Sequence, residues 1–123
     1  MRSNLEIVKT YFRCVDSEDL ETLNSLFATD AVLLAAGAGE RRDERIMSFY
    51  RNVFKKFPEH KDIPTRFLEI NDSIVVEIRF NGRSATGVSV EFPAVDVFDL
   101  RNGKIIRLSQ WVDTAALERK LQQ

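Results

Sequence analysis

The 123-residue chain predicts an α+β fold in one domain, residues 1–123, with N-terminal helices packed against a strongly curved antiparallel sheet. Three observations carry this. Up to Phe57, apart from the short run Ala31 to Ala35, the apolar residues recur three or four apart; from Thr65 onward they alternate. The alternating part is broken by Asn71-Asp72, Asn81-Gly82 and Asn102-Gly103, dipeptides that favour tight turns.

Ser3-Asn4-Leu5-Glu6 fits a capping box and opens a helix to about Asp16, whose inner face carries Ile7, Val8, Tyr11, Phe12 and Val15. Ser17 can cap a second, short helix with Leu20, Leu23, Leu26 and Phe27 as its stripe. The run Ala31 to Ala35 is strand or helix by periodicity alone, and Asp30 before it and Gly37 after it favour a strand; Gly37 to Arg42 reads as a loop. Asp43 caps a third helix with Ile46, Phe49, Tyr50, Val53, Phe54 and Phe57 inward, and Pro58 ends it. Strands follow over Arg66 to Ile70, Ile74 to Phe80, Arg83 to Leu100 and Lys104 to Val112. The third of these is too long to be flat, so Gly87 or Pro93 should mark a bend or bulge. Asp113 caps a last helix, Thr114 to Leu121.

One carboxylate stands out in this pattern: Asp96, between Val95 and Val97-Phe98. An ionised Asp in apolar surroundings is costly, so it must reach water, meet a donor or hold a proton. Two registers of the hairpin around Asn102-Gly103 give it different neighbours. A two-residue turn pairs Arg101 with Lys104 and puts Asp96 on the face of Arg107, Ser109 and Trp111. A three-residue loop with Gly103 left-handed puts it with Ala94, Phe98, Leu100, Ile106, Leu108, Gln110 and Val112. The second is preferred, because one-sided burial is what fixes register. It leaves Val95, Val97, Ile105 and Trp111 on an outer face too apolar to stay wet, which predicts a homodimer.

Composition narrows the partners. A net charge of −1 gives no basic footprint for nucleic acid. No apolar run approaches a membrane span or a signal-peptide core, which predicts a cytoplasmic protein. One Cys, Cys14, and one His, His60, leave no conventional metal site; Cys14 reads as a small core residue, and His60, in the polar connection Pro58 to Asp62, as solvated. Arg41, Arg42, Lys55 and Lys56 read as solvated charges, and Asp113 as a cap rather than an acid. No phosphate loop or Ser-His-Asp pattern is present.

The stretches Tyr11, Asp16 to Leu20, Leu26 to Ala31, Ile46 to Tyr50, Val95 to Phe98 and Asn102 to Ile105 together resemble the SnoaL-like polyketide cyclase and ketosteroid isomerase branch of the nuclear transport factor 2-like (NTF2-like, cystatin-like) superfamily. The resemblance covers nearly the whole chain. It implies a cone-shaped α+β fold with an interior hydrophobic pocket, often as a homodimer, in a family of isomerases, cyclases, dehydratases, epoxide hydrolases and binding domains. Ketosteroid isomerase pairs a tyrosine with a neutral aspartic acid as an oxyanion hole. The resemblance places Tyr11 and Asp96 there, with Tyr50 as a second tyrosine. It also shows two departures: the isomerase's base falls at Ala35, and the epoxide hydrolases' second acid falls at Gln110, with Glu77-Ile78-Arg79 the nearest approach to their Arg-x-Asp.

Residues and resemblance together predict a cofactor-independent enzyme of cyclase, isomerase or hydratase/dehydratase type, acting on an apolar carbonyl- or enol-bearing compound. Asp96 and Tyr11 are its catalytic candidates. Tyr50, Gln110, Phe98, Leu108, Val112, Phe49 and Phe27 are its substrate-binding candidates. The alternative is a binding or assembly module that holds a ligand without turning it over, in which Tyr11 is core packing and Asp96 a structural acceptor.

Overall fold

A computed structural model describes residues 2–122. The order is α1 (Asn4–Ser17), α2 (Leu20–Ser25), β1 (Phe27–Ala35), β2 (Gly39–Arg42), α3 (Glu44–Lys56), β3 (Glu59–Ile70), β4 (Ser73–Arg83), β5 (Ser89–Arg101), β6 (Lys104–Val112) and α4 (Thr114–Leu121). The six strands form one open sheet in the order β2-β1-β6-β5-β4-β3. β3 to β6 make the expected antiparallel meander. The sheet as a whole is mixed, because β1 returns parallel to β6, with Ala35 beside Gln110.

Local chemistry sets the helix ends. Ser3 accepts from the Glu6 N–H at 3.2 Å, and Asp113 from the Ala116 N–H at 2.9 Å, so both N-terminal caps form as read. Asp43 occupies its cap position at positive φ but makes no side-chain cap bond. The second helix starts later than read: Asp19 rather than Ser17 is its cap, accepting from Thr22 N–H, and it ends at Ser25. Phe27 therefore opens β1, where the Ile105 N–H bonds the Leu26 carbonyl. Gly37 to Arg42 is not a plain loop, since Gly39 to Arg42 pair with β1.

Two polar stretches read as connections are strand. β3 begins at Glu59, with Glu59 and Lys61 exposed and His60 and Asp62 turned inward. Asn81-Gly82 lies inside β4; a Cβ at Gly82 would come within 2.6 Å of the Phe80 ring, so glycine serves close packing there and not a turn. The turn between β4 and β5 is instead at Ser84 to Val88, with Gly87 at φ 88°. Pro93 lies one residue past the last β5–β6 pair, Ala94 with Val112, where β5 is an edge on one side and tolerates a missing N–H.

The β5–β6 hairpin corrects the turn and keeps the face. Asn102 and Gly103 are both at positive φ in a two-residue turn, and Arg101 pairs with Lys104, so the three-residue loop is absent. A bulge then shifts the register: Asp99 faces Arg107 while Leu100 faces Ile105. Beyond it Asp96 stands opposite Gln110 and Phe98 opposite Leu108, with Ser109 opposite Val97. The inward face is as expected except that Ile105, not Ile106, belongs to it. Ile105 is fully buried and leaves the outer face, where Trp111 is 48% exposed.

The core lies between α1, α3 and the inner sheet face. Tyr11 sits at its centre, edge-on to Phe12, Phe27, Tyr50 and Phe98, and Phe98 and Leu108 are sealed beneath it. A second, smaller cluster of Phe57, Phe80 and Val90 packs with Phe92, Leu117 and Leu121, which ties α4 to the sheet. No helix among the described residues is long and apolar enough to cross a membrane.

Candidate functional site

Between these two clusters is a cavity of about 260 Å³, at the small end for ligand pockets. Its walls are mostly apolar: Val15 from α1, Phe49 and Val53 from α3, Ile78 and Phe80 from β4, Phe92 and Ala94 from β5, Val112 and Leu117 at the C-terminal end. Small side chains leave the room. Ala35, Ala36, Ala38 and Ala94 line it where larger residues would close it. The polar groups reaching it are Tyr11, Tyr50, Gln110, Asp62, Asp96 and Lys56.

Asp96 is 4% exposed, and among the described residues no hydrogen bond or ion pair reaches its carboxyl. No sealed side-chain polar atom among them lacks a partner, so the Asp96 oxygens are open to the cavity. Burial pushes its pKa well above the ordinary carboxylate value, and the charge of Asp62 adds to the rise. Asp96 therefore carries a proton under conditions in which an exposed aspartate has lost it. It is an acid facing an apolar space.

Beside it, two phenols and an amide form a chain. The Tyr11 and Tyr50 hydroxyls are 2.7 Å apart, and Gln110 Nε2 donates to the Tyr11 oxygen at 3.0 Å. The Tyr11–Tyr50 contact uses one of the two phenolic protons. Whichever tyrosine donates, the other phenol keeps an O–H for a ligand oxygen. Burial raises both phenols above their ordinary value, with Asp96 adding to it, so they stay neutral donors. Tyr11 reaches Tyr50 as expected, but no hydrogen bond joins Tyr11 to Asp96 among the described residues.

Of the residues singled out from sequence, Asp96, Tyr11, Tyr50, Gln110, Val112 and Phe49 border this cavity. Phe98, Leu108 and Phe27 do not; they are packed in the core behind it, because their bulk fills the sheet's inner face completely. His60 is not solvated. Its ring stacks on Phe54 at 4.9 Å, its side chain is 4% exposed, and Nε2 meets Glu18 at 2.9 Å. Glu77 and Arg79 point outward, to Arg66 and Glu91, and no arginine lines the cavity. Asp62 was hidden inside Glu59-His60-Lys61-Asp62, and its only signal was a period-two alternation among polar residues. Among the described residues no cluster of His, Cys, Asp or Glu is arranged to hold a metal ion.

The fold has many solved counterparts. An NTF2-like protein of unknown function from Burkholderia pseudomallei is 21% identical, with all of each chain covered and a TM-score of 0.91. TerC, co-crystallised with polyporic acid, is 21% identical over 98% of both chains, with a TM-score of 0.88. IdmH from Streptomyces antibioticus, a candidate polyketide cyclase, is 19% identical over 99% of this chain and 100% of its own, with a TM-score of 0.86. At these identities the likeness is one of fold. A sequence comparison with curated proteins finds no match. The SnoaL-like domain family, however, matches the sequence from residue 8 in α1 to residue 108 in β6. The chain belongs to the SnoaL-like domain family.

Proposed function

We propose that the protein is a cofactor-independent enzyme acting on a small apolar ring compound that carries a carbonyl or enol oxygen. The observation that carries this is Asp96: a buried carboxyl without a partner among the described residues, raised in pKa, open to an apolar cavity. A structural carboxylate would be paired and depressed instead. In this reading the substrate oxygen enters between Asp96 and the free phenolic O–H of the Tyr11–Tyr50 pair. Asp96 gives its proton as negative charge develops on that oxygen, while the phenol stabilises it and Gln110 fixes the Tyr11 hydroxyl. The cavity volume suits one or two rings. Association as a homodimer through the outer face of Val95, Val97 and Trp111 belongs to the same proposal.

The test uses Trp111, the single tryptophan, which borders the cavity. One- and two-ring ketones and enols are screened for a change in its fluorescence and then for turnover. Asp96→Asn should keep binding and lower turnover by about a hundred- to ten-thousand-fold. Undiminished turnover in that variant rejects the mechanism.

A second reading, a binding module, is favoured by Ala35, which lines the cavity where a base would be expected and cannot take a proton. Tight binding without any turnover would establish it. An epoxide-hydrolase chemistry finds less support, since the cavity has an amide at Gln110 and no arginine.

A further inference from the structure

The cavity holds a second carboxyl, carried by a different strand from Asp96. Asp62 projects from the start of β3, paired with Phe80, and lines the cavity floor together with Val15. Its backbone N–H is held by the Asp16 carboxylate of α1 at 3.0 Å, which fixes the residue without engaging its own carboxyl. Among the described residues no ion pair or hydrogen bond reaches the Asp62 oxygens. Asp62 also borders a groove on the outside of the molecule, with Lys9, Arg13, Asp16 and Lys61 around it. Of the two acids it alone has one side toward the reaction space and one toward solvent.

We propose that Asp62 is the general base of this site, removing a proton from the carbon next to the substrate carbonyl while Asp96 protonates the carbonyl oxygen. The inference rests on the reading of Asp96 as the acid. It also answers the difficulty of Ala35, because the base is supplied from β3 and not from the end of β1.

The two carboxyls differ in the way such a division of labour needs. Burial and the neighbouring Asp16 charge push Asp62 up to about 6, with His60 opposing the rise. At neutral pH Asp62 is therefore mostly ionised, and its charge adds to the burial that favours the protonated form of Asp96. The groups facing Asp62 are Lys9, Tyr11, Arg13 and Asp16 on α1, Tyr50 and Lys56 on α3, His60 and Lys61 on its own strand, and Asp96 on β5. None of them neutralises it by direct contact.

The step balances. The Asp62 carboxylate takes the α-proton; the C–H electron pair forms the C=C of an enol; the carbonyl π pair takes the Asp96 proton. If the next carbon carries a hydroxyl, the enol O–H proton returns to Asp96 and the carbonyl reforms. In the same step the enol C=C pair moves to form the α,β double bond as the C–O bond breaks, and the departing hydroxyl leaves as water with the proton held by Asp62. Both acids are restored. The substrate class is an enolisable ketone, and the net reaction a dehydration or, in reverse, a hydration.

The experiment follows α-proton exchange of 2-tetralone in D2O by NMR, with binding read separately from Trp111. The wild-type protein should accelerate exchange over buffer, with the rate rising through pH about 6 to a plateau. Asp62→Asn should bind the probe but lose on the order of a hundredfold in exchange rate, together with the pH dependence. Exchange at the wild-type rate in Asp62→Asn, with Asp96→Asn slowed, overturns the base and leaves the acid standing. A bound probe that exchanges no faster than in buffer overturns the base in the wild-type protein itself, whatever the variants do. No binding of 2-tetralone rejects the ligand class of the proposed function and the base with it.

Discussion

The β5–β6 hairpin builds two different environments along one face. Near the turn, Phe98 and Leu108 stand opposite each other and are fully buried beneath Tyr11. Toward the other end the same alternation continues, but the inward residues are Ala94, Asp96, Gln110 and Val112, and they border a cavity. Past the bulge, the backbone pairing is the same along both stretches. The difference lies in side-chain size and polarity: one end maximises contact, and the other gives up packing to keep a space with acids facing it. Where the sheet is well packed it contributes stability, and where it is not it can contribute chemistry.

The largest effect should come from breaking the packed end. Phe98→Ala removes a ring that meets Tyr11 at 5.0 Å and Phe12 at 5.9 Å, and it leaves a hole that its neighbours cannot close. A loss of about 3–5 kcal/mol is expected in chemical denaturation. Val112→Ala, on the same face at the cavity end, should cost much less, since its side chain already borders empty space. Equal losses would show that the two ends are equally packed.

The acids should cost stability, and the sign follows from their shifts. Asp62 and Asp96 both have folded pKa values raised above the ordinary 3.8, so the native state holds protons that the unfolded chain has released. Stability must then fall as pH rises above about 4, and for Asp62 the fall is complete only above about 6. For that residue the change is on the order of 2 kcal/mol. Denaturation midpoints at pH 4 and pH 7 should therefore differ less in Asp62→Asn than in the wild-type protein. A wider gap would mean that the Asp62 carboxylate is stabilised and not strained.

A smaller effect is expected at the boundary between the two ends. Tyr11→Phe keeps the ring and its aromatic contacts but removes the oxygen shared by Tyr50 and Gln110. A loss of about 1 kcal/mol is the ordinary result for such hydrogen bonds. Rate measurements should move more than stability if the phenol faces a substrate oxygen.

The packed end was the more legible in the sequence, for a physical reason. Apolar periodicity reports burial, and burial is what Ile7, Val8, Tyr11, Phe98 and Leu108 share. It does not report which strand lies beside which, so the parallel return of β1 to β6 left no trace in the pattern of Ala31 to Ala35. The hairpin register shows the same division: the buried face around Asp96 could be read, while the turn could not, because the bulge at Ile106 absorbed the difference. Phe98, Leu108 and Phe27 read as pocket residues for want of any signal separating a wall from the core behind it. Asp62 shows the converse. A strand whose inward residues are His60 and Asp62 looks like a loop to any reading that equates inward with apolar.

The smallest effect on stability should accompany a large loss of binding. Ala94 is half-buried opposite Val112, and its methyl group points into the space that Asp96 faces. Ala94→Val adds two methyl groups to a β-strand position, where a branched side chain is favoured, and directs them into a void instead of against packed neighbours. Overpacking normally costs about 1–3 kcal/mol, but here the added volume has somewhere to go, so a change within about 0.5 kcal/mol is expected. The same methyls shrink a cavity of about 260 Å³ beside the acid, so binding of 2-tetralone, read from Trp111, should weaken sharply. Strong destabilisation together with undiminished binding would place Ala94 in the packed region and move the ligand space away from Asp96.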